Sequence, residues 1–122
     1  MSINPLTVLA AIALFVLVFV LGFVLKRRGR PHHVLLLTAH KLLALAALIL
    51  MALTIIRINR ATPLDTAALI AAAATAVFFV VAIISGGLVS TDKPAPALAR
   101  ALHWVTPFVI IADAAATFLL VR

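Results

Sequence analysis

The sequence contains no cysteine and no glutamate, and its only acids are Asp65, Asp92 and Asp113. Without cysteine there is no disulfide framework, no thiolate metal site, no thioether-linked haem and no cysteine nucleophile. Charge of either sign is scarce, with ten Lys or Arg and three Asp in 122 residues. A soluble domain carries about 25% charged residues, and this chain has too few to cover an aqueous surface. That shortage excludes a soluble globular fold, an intrinsically disordered chain and a nucleic-acid-binding module. The net charge of +7 is no nucleic-acid footprint either, because the cations gather at the ends of apolar runs.

What is present is apolar: 66% of the residues, with a mean hydropathy of +1.33. A bilayer core demands roughly 20 apolar residues per helix. Four runs meet that length, at residues 5–25, 34–56, 64–89 and 98–121. The breaks between them are short and carry turn residues, with Pro63 just ahead of the third run. Such short loops reach only an antiparallel neighbour. The expected fold is all-α, a single transmembrane domain over residues 1–122 forming an up-down-up-down four-helix bundle. The first run has no basic segment ahead of it, so it reads as a retained anchor and not a cleaved leader.

Loop one holds Lys26, Arg27, Arg28 and Arg30, and loop three holds Lys93 with Arg100 close behind. The other side has only Arg57, Arg60 and Arg122. The positive-inside bias therefore places loops one and three in the cytoplasm and both termini outside.

A faint repeat relates the two halves. Gly22 lies 18 residues before His40, and Gly86 lies 17 before His103. Each interval runs from the end of one span through a proline-containing loop into the next. Two helical hairpins in the same orientation imply a pseudo-two-fold axis along the membrane normal.

His40 and His103 are the chemically informative residues. Each sits about two turns into its span, roughly 8–10 Å from the helix start, so the two imidazoles lie at matched depth. Ionisable residues within a membrane are costly and usually face the bundle interior. Two neutral imidazoles at one depth on non-adjacent helices suit axial ligation of a single haem iron. The alternative is that they are structural or proton-handling histidines. Lys41 and Arg100, with Arg27, Arg28 and Arg30, are the expected partners of haem propionates. Gly22, Gly86 and Gly87 are expected to admit a flat macrocycle close to the backbone. Pro107 cannot donate to the carbonyl of His103, which predicts a kink there and leaves that carbonyl to water, Thr106 or a neighbouring helix. His32 and His33 belong to a solvated interface, or contact a quinone or a propionate.

The run Arg100-Ala101-Leu102-His103-Trp104 resembles the Arg-x-x-His-Trp helix opening of bacterial membrane b-type cytochromes of the cytochrome b-561 type. Ala39-His40-Lys41-Leu42-Leu43 resembles a related ligand-helix start. The likeness covers about a dozen residues and the four-span layout. It implies a four-helix membrane protein of the inner (plasma) membrane that binds haem b through histidines and passes electrons between quinol and a partner. Di-haem members use four histidines at two depths, whereas here only His40 and His103 lie within the spans. The resemblance therefore extends to one haem, and to an electron carrier more than a stand-alone enzyme.

Asp113 is the one acid well inside a span. It lies ten residues past His103, about 15 Å further along the axis and about 80° around it, too far to share an iron. It is expected to be protonated and bonded to Thr75 or a carbonyl, with proton handling or a partner contact as alternatives. The alanines of the third span suit close internal packing or a homo-oligomer seam. Phe15, Phe19 and Phe23 form a stripe for core or lipid, and Met51 is core filler. Two other functions compete with electron transfer. One is a cofactor-free accessory or assembly subunit of a larger membrane complex. The other is a small proton-coupled transporter, although four-span exporters depend on an acid in the first span and residues 5–25 carry no charge.

Overall fold

The computed structural model describes residues 4–91 and 93–121. Asp92 of loop three and Arg122 lie outside the described residues. Four helices follow in order: α1 (Pro5–Arg28), α2 (Val34–Ala61), α3 (Thr66–Val89) and α4 (Ala97–Val121). Each is long and apolar enough to cross a membrane, and the architecture is the expected all-α four-helix bundle.

The helix ends follow from local chemistry. Asn4 precedes Pro5, and its side-chain oxygen accepts from the Leu6 amide at 2.9 Å, a standard N-cap with proline at the first helical position. At the other end Gly29 adopts φ 67°, a left-handed conformation that glycine enters without steric cost, and its amide reaches the carbonyls of Leu25 and Lys26. Four boundaries differ from the hydropathy reading, among them the end of α1 at Arg28 and the start of α4 at Ala97. α2 continues through Arg57 to Ala61, because charge ends a hydropathic run but does not end a helix whose long cations can reach the interface. α3 begins at Thr66 and not at residue 64, because Asp65 caps it and accepts from the Ala68 amide at 2.8 Å.

The tightest packing is within the hairpins, α3 on α4 and α1 on α2, with a lighter contact between α2 and α3. Aromatic edges bridge the hairpins. Phe15 meets Phe79 with centroids 5.4 Å apart, and Phe19 meets Phe108 at the same spacing. These two members of the α1 stripe thus face inward, while Phe23 is exposed and lies below the Arg27 guanidinium. The small core comprises Ala47, Phe79 and Ile110, with Phe15, Leu48 and Met51 packed against it. Large apolar side chains are exposed on all four helices, among them Leu6 at 71% and Val34 at 77%. Leaving such a side chain in water forgoes about 1.5–3 kcal/mol, so these surfaces belong against lipid.

Candidate functional site

The same three-part notch occurs in both hairpins. In the first, Nδ1 of His40 lies 2.9 Å from the carbonyl oxygen of Val18. In the second, Nδ1 of His103 lies 3.1 Å from the carbonyl oxygen of Ala82. Each carbonyl belongs to the residue one helical turn before a glycine. Because a carbonyl only accepts, Nδ1 carries the proton in each ring and donates it. Among the described residues no hydrogen bond engages Nε2 of either ring. This is the tautomer of a ligating histidine, with Nδ1 anchored to the protein and a lone pair on Nε2.

The glycines explain how the rings fit. A Cβ on Gly22 would fall 2.9 Å from Cε1 of His40, and one on Gly86 would fall 2.7 Å from Cε1 of His103. The two positions therefore seat their own hairpin's imidazole. They do not lie open to a macrocycle, as the sequence suggested, because the ring fills the space in front of the bare Cα. Gly87 has nothing within 4 Å of a Cβ position and takes no part.

The two imidazoles approach each other across the bundle. The imidazole centroids are 6.3 Å apart and their planes cross at 84°. An imidazole nitrogen bonds a metal at about 2.0 Å and lies about 1.1 Å from its ring centre, so two imidazoles on opposite sides of one ion have centres about 6.2 Å apart. Among the described residues no group of three or more His, Cys, Asp or Glu gathers that could hold a metal ion. A bare ion would thus have two protein ligands here. A tetrapyrrole would need few ligands from the protein, and His40 and His103 are the residues that would hold it.

The basic residues around the site divide by what they touch. Lys41 and Arg100 are exposed at the same end of the bundle. Arg30 is not a free cation: its guanidinium donates to the carbonyls of Lys93 at 3.1 Å and Val89 at 2.8 Å, tying loop one to loop three. Lys26 places its ammonium 3.3 Å from the centre of the Trp104 ring, a cation–π contact beside His103. His33 caps α2 through Nδ1, which accepts from the Leu36 amide at 3.4 Å, while Nδ1 of His32 is buried without a partner.

The helix α4 runs through Pro107 without interruption. Thr106 does not meet the carbonyl of His103, because its hydroxyl reaches back four residues to Leu102 instead. Asp113 lies in the other half of the bundle, where Thr75, fully buried, bonds its carboxyl oxygen at 2.5 Å. This is the partner that matched depth suggested. In the same half a crevice of about 510 Å³ opens between α1, α2 and α4, walled by apolar side chains such as Val8, Phe15, Met51 and Phe118, with Thr75 contributed by α3.

Several participants escaped the sequence reading. The acceptors of Val18 and Ala82 are backbone atoms, which leave no residue-type signal. Ser85, buried beside Gly86, was visible as a hydroxyl within an apolar run. The Lys26–Trp104 contact had no local signal, since its members lie on different helices.

No protein-family model, curated protein or solved structure matches the chain.

Proposed function

We propose that this chain is a membrane electron-transfer protein that holds one haem b between His40 and His103. The observation that carries the reading is the pair of imidazoles 6.3 Å apart, each with Nδ1 bound to its own hairpin and Nε2 uncommitted. When bound, the haem supplies a one-electron carrier, iron cycling between ferric and ferrous. The chain's own groups hold and tune it. The carbonyls of Val18 and Ala82 fix each ring's tautomer and rotation. The apolar helices keep water from the ring faces. Lys41 and Arg100 offer cations to propionates. The electron donor and acceptor are a quinone pool or the other subunits of a redox complex. The basic loops face the cytoplasm of a cell whose inner membrane the chain spans.

A second reading draws on the same bonds. Each histidine already has Nδ1 bonded within its own hairpin, as it would in a cofactor-free accessory subunit. Titration of haem b into the detergent-purified protein separates the two. The electron-carrier reading expects saturation at one haem per chain, a sharp Soret band and a resolved α-band on reduction. His40→Ala and His103→Ala should each remove the low-spin bands. Weak, unsaturable haem uptake that neither substitution alters would leave the accessory-subunit reading standing.

A further inference from the structure

The two notches share a histidine, an acceptor carbonyl and a glycine, and differ in the residue before the glycine. Val18, Leu21 and Gly22 of α1 correspond to Ala82, Ser85 and Gly86 of α3, each pair 64 positions apart. Leucine in the first hairpin is thus replaced by a hydroxyl in the second. Ser85 is 3% exposed, and its Oγ lies 3.2 Å from the Ala82 carbonyl oxygen, to which it donates. That carbonyl is also the acceptor for Nδ1–H of His103 at 3.1 Å. A contact of 3.5 Å between Oγ and Nδ1 closes the triangle, at the outer limit of hydrogen bonding. The carbonyl of Val18, by contrast, has the Nδ1–H of His40 as its one side-chain donor among the described residues, at the shorter distance of 2.9 Å.

We infer that Ser85 is a positioning residue that makes the two axial ligands unequal. A carbonyl that carries a second side-chain donor gives less to each. The Nδ1–H of His103 is therefore held less strongly than that of His40, and the His103 ring has less imidazolate character. Hydrogen bonds from the far nitrogen of a ligating histidine raise its basicity as a ligand, and a more basic axial ligand favours ferric over ferrous iron. Ser85 thus holds the reduction potential above the value that two equal notches would give. This inference rests on the haem reading above.

The test is a spectroelectrochemical titration of the haem-loaded protein beside Ser85→Ala and Leu21→Ser. Ser85→Ala frees the Ala82 carbonyl for His103 and should lower the midpoint potential. Leu21→Ser loads the Val18 carbonyl and should raise it. In haem-free protein, the Nδ1 proton of His103 should shift downfield in Ser85→Ala, and the Nδ1 proton of His40 should not. Unchanged or oppositely shifted potentials in proteins that bind haem normally would overturn the role of Ser85 alone. Failure of the unsubstituted protein to bind haem would overturn the reading beneath it.

Discussion

At the scale of single residues the site is defined by what is missing from two side chains. Gly22→Ala and Gly86→Ala each place a methyl within 3 Å of an imidazole carbon. That imidazole is pinned by its bond to a carbonyl on the same helix as the glycine, so it has little room to yield. Overpacking of this kind costs about 1–3 kcal/mol, which outweighs the gain of up to about 1 kcal/mol that alanine brings to a helix. Both variants are expected to bind haem at least several-fold more weakly and to melt earlier in detergent. Gly87→Ala meets open space and keeps only the helix gain, so it should leave haem affinity unchanged and raise the melting temperature slightly. Equal behaviour of all three in parallel haem titrations and thermal melts would mean that the rings are not seated on Gly22 and Gly86. The identity of the histidines was legible in the sequence because an ionisable residue inside an apolar run stands out. The purpose of the glycines was not, since the sequence shows a missing side chain and not which neighbour takes its place.

At the scale of elements the molecule is two hairpins, both pinned near the basic loops and the second pinned in its other half as well. Near the basic loops each hairpin is closed by a histidine on a carbonyl. In the other half of the second hairpin, Thr75 joins α3 to α4 through Asp113. Such interhelical bonds in membranes are worth about 0.6 kcal/mol on average and up to about 1.7. A double-mutant cycle of Thr75→Val and Asp113→Asn, followed by unfolding in mixed micelles, should return a coupling in that range. Asp113→Asn alone keeps a bonding side chain and should leave haem binding and haem reduction intact. Loss of electron transfer in that variant, with folding preserved, would instead make Asp113 a proton carrier. Helix positions were readable because hydropathy measures what lipid will accept. Helix ends were less so: α2 runs past the last apolar residue to Ala61, and the start of α3 is set by one carboxylate at Asp65. Caps and charged extensions are decided by hydrogen bonds that hydropathy does not see.

At the scale of the whole molecule, pairing of hairpins brings together residues 63 positions apart. No local pattern in the sequence states that distance, although matched depth and parallel direction made it a natural expectation. Most of the cations gather at one end, and the positive-inside bias makes that the expected cytoplasmic end. The absence of native cysteine allows this to be measured directly in spheroplasts. Cysteine introduced for Arg27 or Lys93 should react with a membrane-impermeant maleimide only after lysis, and cysteine introduced for Thr62 should react before it. The reverse pattern would invert the protein in the membrane without altering the site.

Low-temperature EPR of the ferric, haem-loaded protein tests whether His40 and His103 both bind one iron. With ring planes crossing at 84°, the account predicts a strongly anisotropic low-spin spectrum dominated by a single large g value. That signal should vanish in both His40→Ala and His103→Ala. An axial high-spin signal in the unsubstituted protein, or a low-spin signal that survives removal of either histidine, would contradict it.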